Sequence, residues 1–375
     1  MNRLVFGVET GEPGGLRPPV ERRQKMRKLW LLLLAAALLI PAVVWGQGCM
    51  GGGGEEGVNV VGFIQPQFEY HPNSCEDREY LSAYNTFSFK RARLGVVGEV
   101  PYDISYYFVM EFGPLMSGEP PYMLDAFLTY TRYPRMQVSF GQFKYPFSME
   151  RNTSCSDLHT VLRSKVVDNL VPDRDMGVMA LGTLAEGLDY RLGLMNGAGL
   201  NEMDGNSGKD IVGRLIYTPV EYLTVGGGFA SGNSEPEVAG EDDNTSTRYG
   251  GEFEVNYANF LVQGEYIYGK DEGAYSEGGG CGGDPVIKQG TVERDGFFIT
   301  ALYKTQWNLE PVYKYERWDP DTEKDDDMEH VHTFGFNYFM NDWTRLQVNY
   351  LRRIEDYTPA LRNDALIVQM QVKMQ

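Results

Sequence analysis

The residues with the plainest capacity for chemistry are basic, and they lie on the polar face of segments whose other face is apolar: Arg91, Arg93, Lys144, Arg191 and Arg214. Side chains two apart on a strand share a face, so Arg91 and Arg93 point the same way. Bases gathered in this manner do not break bonds. They concentrate anions and hold them weakly, most effectively where the surroundings are poorly polarisable. Carboxylates occupy comparable positions at Glu111, Asp125, Glu254, Glu265 and Glu316. Each arginine therefore has a second role open to it, a cross-strand ion pair that stiffens a wall and cancels its field.

Catalytic and metal chemistry is thinly represented. The chain has four histidines, His71, His159, His330 and His332. A hydrolase would need a Ser or Asp nucleophile beside one of them, which leaves a weak reading attached to His159 or His330. His330 and His332 share one strand face near Asp325, Asp326 and Asp327; a solvated strand end explains this as well as a metal site does. In the acidic run from Asp319 to Asp325, Lys324 stands where a calcium loop needs glycine, and His330 stands where it needs a bidentate Glu. That rejects an EF-hand. The glycine runs at 51–54 and 278–283 lack the Lys-Ser/Thr that follows a phosphate-cradling loop. No catalytic residue, metal ligand or cofactor is assigned.

The elements that position the bases are strands. In Leu366 to Gln375 the even positions are apolar, and after Ile367 the odd ones are polar; a period of two is a strand with one greasy and one wet face. Such segments recur at 59–69, 86–99, 102–113, 122–132, 135–144, 174–184, 187–196, 209–218, 222–231, 247–257, 259–269, 293–305, 307–318, 329–340, 343–355 and 364–375. The spacing predicts an all-β fold, a transmembrane antiparallel barrel of about sixteen strands with short periplasmic turns and long extracellular loops. Tight turns such as Tyr133-Pro134 and Asn341-Asp342 alternate with long connections at 70–85, 114–121, 145–173, 197–208, 232–246, 270–292, 319–328 and 356–363. A Greek-key sandwich does not alternate so regularly. Alternation puts Leu124, Ala126, Leu128, Tyr130, Ile211, Leu215 and Tyr217 on lipid, and Asp125, Thr129, Arg214, Arg345, Gln347 and Asn349 in the lumen. Tyr70, Tyr102, Tyr130, Tyr222, Tyr257, Tyr268, Trp307, Trp318 and Trp343 fit interface girdles.

Residues 1–46 read as an N-terminal extension and signal peptide, with Met26-Arg27-Lys28 before the apolar Leu29–Trp45 stretch. Residues 47–57 form a Gly-rich lead-in and 58–375 one barrel domain. The formal charge of −18 excludes nucleic acid as a partner. The four cysteines, Cys49, Cys75, Cys155 and Cys281, have no metal spacing, and three disulfide pairings are open to them.

Several runs resemble the phosphate-selective outer-membrane porins O and P. They are Phe89-Lys90-Arg91-Ala92-Arg93-Leu94-Gly95, Leu124-Asp125-Ala126-Phe127, and Gly141-Gln142-Phe143-Lys144-Tyr145-Pro146-Phe147. Further along come Gly213-Arg214-Leu215-Ile216-Tyr217-Thr218-Pro219, Gln263-Gly264-Glu265-Tyr266 and Gly335-Phe336-Asn337-Tyr338-Phe339. The resemblance implies a homotrimer in the bacterial outer membrane, inserted by the barrel-assembly machinery among lipid and lipopolysaccharide. It also implies a third loop folded into the lumen, which brings Arg151, Arg163, Lys165 and Arg174 beside the wall bases, with Glu111, Asp125 and Glu265 as acidic partners. Its function would be passive conduction of small hydrophilic solutes and ions with a preference for anions, phosphate-type anions included. This sequence has fewer lysines near the constriction than the family's phosphate sites. It also ends its last alternation on Met374-Gln375, where such barrels usually place an aromatic. The alternative is a structural or surface-display barrel with a plugged lumen and acidic loops that bind partners or cations.

Overall fold

The computed structural model describes residues 58–71, 85–234, 244–277, 286–325, 327–356 and 363–374. The leader, the lead-in, Cys49, Cys75 and Cys281 lie outside these residues. Sixteen strands are present: β1 Val58–Tyr70, β2 Asn85–Val100, β3 Ile104–Glu111, β4 Tyr122–Tyr130, β5 Gln137–Lys144, β6 Arg174–Ala185, β7 Leu188–Met195 and β8 Asp210–Val220. They continue with β9 Leu223–Ser234, β10 Asn244–Tyr257, β11 Phe260–Glu277, β12 Val286–Tyr303, β13 Leu309–Asp319, β14 Glu329–Phe339, β15 Thr344–Glu355 and β16 Ala365–Met374. Each pairs antiparallel with its sequence neighbours, and β1 pairs with β16 from Gly62↔Met374 to Tyr70↔Leu366, closing the barrel. Closure leaves no unpaired edge, which a sheet in hydrocarbon requires.

Burial is inverted relative to a protein surrounded by water. Leu94, Leu128, Phe140, Leu192, Ile211 and Leu215 stand exposed on the outside, while Gln65, Thr129, Ser139, Lys314, Asn337 and Gln347 are buried within. The alternation therefore has its apolar half outside. Tyr70, Tyr102, Tyr130, Tyr222, Tyr257, Trp307 and Trp343 are exposed near strand ends, and Tyr222 meets Tyr257 edge to face across neighbouring strands.

Three details depart from the sequence-based expectation. Trp318 is 5% exposed and turned inward with Lys314 and Glu316, because it shares their parity on β13. Leu124 is 1% exposed rather than lipid-facing. Leu124 is the extra residue of a bulge in β4, skipped between the pairs Val109↔Asp125 and Met110↔Met123, and Asn201 from the loop after β7 donates to Met123 O close by. The expected loops 232–246 and 270–292 contain strand at both ends: β9 and β10 pair as far as Ser234↔Asn244, and β11 and β12 as far as Glu277↔Val286. Polar, Gly-containing ribbons can stay paired beyond the membrane because water covers both faces, so composition misplaces their ends.

Leu215 is 53% exposed at mid-strand on the outer face. Leu215→Arg should destabilise the folded barrel by about 2–4 kcal/mol and Leu215→Ile by far less, measured by urea titration of reversible folding into lipid vesicles.

Candidate functional site

The connection from β5 to β6, residues 145–173, leaves the barrel end and runs back inside. Its two ends are stitched together by Tyr145 N donating to Asp173 O at 3.4 Å. It carries two short helices, α1 (Met149–Asn152) and α2 (Lys165–Leu170).

Apolar side chains seat the loop first. Phe147, Val166, Val167 and Leu170 are at most 2% exposed and join one cluster with Met195, Ile267, Phe298 and Trp318 of the wall. The ring of Phe147 lies over Gly228 and Gly250, where an added Cβ would come within 3.0 Å of it. Val166 sits over Gly296, where a Cβ would stand 2.9 Å away. Glycine at these places lets the loop approach the sheet backbone.

Polar side chains then hold the loop backbone. Gln65 of β1 donates to Cys155 O at 3.2 Å, Gln371 of β16 to Ser156 O at 3.1 Å, and Gln347 of β15 to Leu158 O at 3.2 Å. Asn337 of β14 donates to His159 O at 3.0 Å, and Lys314 of β13 to Leu162 O at 3.0 Å. In the opposite sense Val161 N donates to Asn349 Oδ1 at 2.7 Å, and Lys165 N to Glu316 Oε2 at 2.8 Å. Ser148, held at φ +69°, donates to Glu265 Oε2 at 2.9 Å. The loop thus touches β1, β16, β15, β14 and β13 in turn, spanning the lumen and narrowing it. Each such bond contributes about 1 kcal/mol, and each carbonyl left bare inside would cost about 1–3 kcal/mol.

The basic residues anticipated from sequence divide into three groups. Arg93 contacts Glu111 at 2.7 Å; Arg174 forks onto Asp125 at 2.9 and 3.0 Å and onto Asp173 at 2.7 Å; Arg214 grips Glu252. A second group holds the loop together. Arg151 donates to Val167 O and Val171 O, both at 2.8 Å, at the end of α2 and pairs with Asp173 and Asp168. Lys144 donates to Asn152 O and Thr153 O, Arg191 to Asn152 Oδ1, and Lys165 pairs with Glu329. The third group has no carboxylate within ion-pair distance among the described residues: Arg91, Arg163 and Arg345, all at most 8% exposed. Arg91 donates to Gln65, which donates to Gln371 Oε1, and Arg345 reaches the same Oε1 at 3.2 Å. Register places Arg91 opposite Gln65 and Arg345 opposite Gln371. Two guanidiniums therefore end a row of amides across the barrel seam. Glu265, anticipated as an arginine partner, receives Ser148 and Glu150 N instead.

Cys155 carries a free, buried thiol that accepts from Arg93 Nη1 at 3.2 Å and Arg163 Nη1 at 3.3 Å. Burial alone would push this thiol up, but Arg93, Arg91, Arg163 and Lys144 outweigh it and bring it well below the ordinary thiol range. Burial raises Asp173 in the same way, and Arg174 and Arg151 hold it well below the usual carboxylate range. His159 is pushed down to about 4 by burial and by Arg345 and Lys304. His330 and His332 face outward, hydrogen-bonded to Tyr315 and Tyr313. Among the described residues no group of three His, Cys, Asp or Glu stands ready to hold a metal. The gripping amides were not picked out from sequence, although Gln65, Gln67, Gln369 and Gln371 form a neutral polar face on the first and last strands that a charge-based reading passes over.

A closed sixteen-stranded barrel with its third long loop folded inside is the architecture of a porin, a passive channel of the bacterial outer membrane. The sequence profile of the phosphate-selective porin O and P family matches residues 74–242 and 234–375, and the chain belongs to that family. Among solved structures it is similar to an anion-selective porin from Comamonas acidovorans, with 12% identity and a TM-score of 0.62 over 85% of this chain and 100% of that one. It is similar also to the outer membrane channel DcaP of Acinetobacter baumannii, with 14% identity and a TM-score of 0.61 over 88% and 100%. OmpT of Vibrio cholerae, in a trimer form, matches with 13% identity and a TM-score of 0.58 over 85% and 99%. No curated protein matches the chain.

Cys155→Ala should leave two guanidinium donors without an acceptor and lower barrel stability by about 1–3 kcal/mol; Cys155→Asp, which restores an anion, should recover part of the loss in thermal unfolding. His159 takes its proton in the unfolded chain near 6.5 but in the folded chain only near 4. The unfolded state therefore binds more protons within that window, and stability falls as pH drops through it. The unfolding midpoint of the wild type should fall more steeply from pH 6.5 to pH 4 than that of His159→Gln.

Proposed function

We propose that this porin prefers small hydrophilic anions and that the preference is set at the infolded third loop. The observation that carries the reading is the pair Arg91 and Arg345, buried in the constriction without a carboxylate within ion-pair distance among the described residues. Field from a charge buried in a weakly polarisable wall reaches into the water path and is little screened by salt. Arg93, Arg174 and Arg214 add less, because Glu111, Asp125 and Glu252 neutralise them. On this reading Lys144, Arg151, Lys165 and Arg191 serve chiefly to shape the loop, and their charges add to the local field. Lys314 is engaged by Glu316 at 3.0 Å and by Leu162 O, so small anions as a class, rather than phosphate alone, are the expected cargo.

The working form is a homotrimer, as OmpT of Vibrio cholerae was seen in a trimer form, surrounded by lipid and lipopolysaccharide and inserted by the barrel-assembly machinery. The protein is a channel with no enzymatic role. A barrel plugged by its third loop is the second reading, favoured by the number of strands that loop touches.

In planar bilayers under a salt gradient the channel should give a reversal potential of anion-selective sign. Arg91→Gln with Arg345→Gln should lower the anion-to-cation permeability ratio by about threefold, roughly 0.6 kcal/mol. Absence of channels would favour the plugged barrel, and a cation-selective sign would overturn the anion assignment.

A further inference from the structure

One proline decides where a neighbouring lysine points. Pro66 in β1 has no N–H to give the next strand, and within a sheet such a residue is accommodated at a bulge. The ladder between β1 and β2 accordingly runs Gln65↔Arg91 and then Pro66↔Phe89, which leaves Lys90 as the extra residue of β2. Phe89 is 38% exposed on the outside, whereas Arg91 is buried inside. Residues two apart would ordinarily share a face. The bulge reconciles them by re-aiming the residue between. The charged groups that face Lys90 are Arg91, Glu69, Asp168 and Cys155, which belong to the lumen wall or to the infolded loop. Lys90 therefore points into the lumen, toward the loop.

Its situation differs from that of the arginines around it. Arg91 and Arg345 are buried and direct donors to wall amides, and Arg93 and Arg163 donate to Cys155. Lys90 is exposed, and it makes no hydrogen bond or ion pair among the described residues. The two carboxylates that face it are both engaged: Asp168 pairs with Arg151 at 3.2 Å, and Glu69 accepts from Gln67.

We propose that Lys90 is the residue that permeating anions touch beside the infolded loop, and that it sets their affinity for the channel. It gives the anion preference inferred above, on which this role rests, a point of direct contact. A buried guanidinium attracts an anion through the wall but leaves the ion its hydration shell. An exposed ammonium has three donors with which to replace part of that shell. Its compact, strongly hydrated charge on a flexible stem lets go easily, as conduction requires, since a site must be left as readily as it is entered. Small oxyanions and halides are the ligand class, and a neutral hydrophilic solute has no use for the contact. Alternation counted from Arg91 and Arg93 puts Lys90 on lipid, so its role follows from Pro66 and not from the run of basic residues.

The test is single-channel conductance of the intact barrel in planar bilayers against KCl concentration, together with the reversal potential in a KCl gradient. Wild type should be anion-selective, with a conductance that saturates. Lys90→Gln should raise the half-saturating concentration about threefold and lower the anion-to-cation permeability ratio. Lys90→Arg, which keeps the charge, should stay near wild type. Passage of a neutral sugar into liposomes should be the same in all three, which separates lost affinity from an altered pore. A wild-type conductance that does not saturate overturns the assignment. So does a half-saturating concentration unchanged in Lys90→Gln, or shifted equally in Lys90→Arg, or a sugar flux that changes in step with it. With an anion-selective wild type, any of these results fails Lys90 alone; a cation-selective wild type fails the anion preference as well.

Discussion

The narrowed lumen depends on one kind of interaction, the hydrogen bond from a buried wall side chain to the backbone of the third loop. Gln65, Gln371, Gln347, Asn337 and Lys314 each meet a carbonyl between Cys155 and Leu162. A loop inside a barrel would otherwise carry bare peptide groups into a space it has itself emptied of water. The wall supplies their partners, and the period-two alternation makes this possible, because all five side chains occupy lumen-facing positions on adjacent strands. Phe147 and Val166 settle the same loop by filling the gaps over Gly228, Gly250 and Gly296. Apolar seating by Phe147 and Val166 flanks the polar grip between Cys155 and Leu162, so neither alone would fix where the segment lies.

Electrostatics follows from this arrangement. Where the loop packs on β1, β2 and β16 it brings Arg163 and Cys155 to Arg91 and Arg93, and the sulfur accepts from both Arg93 and Arg163. Elsewhere on the wall arginine and carboxylate are matched, as in Arg174 with Asp125 and Arg214 with Glu252. Among the described residues, the buried arginines Arg91 and Arg345, which have no carboxylate within ion-pair distance, thus lie where the loop meets the barrel seam.

The barrel was legible from sequence because its signal is a simple period. All sixteen segments are strands, and Leu215 outside with Arg214 inside follows directly from alternation. Strand ends were less legible. The ribbons at β9–β10 and β11–β12 extend into the expected loops, since pairing above the membrane needs no apolar face. Trp318 shows how residue type can mislead: an aromatic near a strand end suggests a girdle, while its parity with Lys314 and Glu316 places it inside. The basic residues were identifiable, but which of them are neutralised was not. Arg93 and Arg91 lie two residues apart on one face, yet Glu111 reaches only Arg93, and that follows from strand register rather than from composition.

The central claim is that wall amides hold the third loop across the lumen and so set the size of the pore. Single-channel conductance of a barrel carrying Gln65→Ala, Asn337→Ala, Gln347→Ala and Gln371→Ala tests it most directly, with the strand signal in circular dichroism as the check on folding. A clear rise above the wild-type conductance, with larger current fluctuations as the loop comes loose, is the predicted result. A correctly folded variant with wild-type conductance and quiet channels would contradict the account.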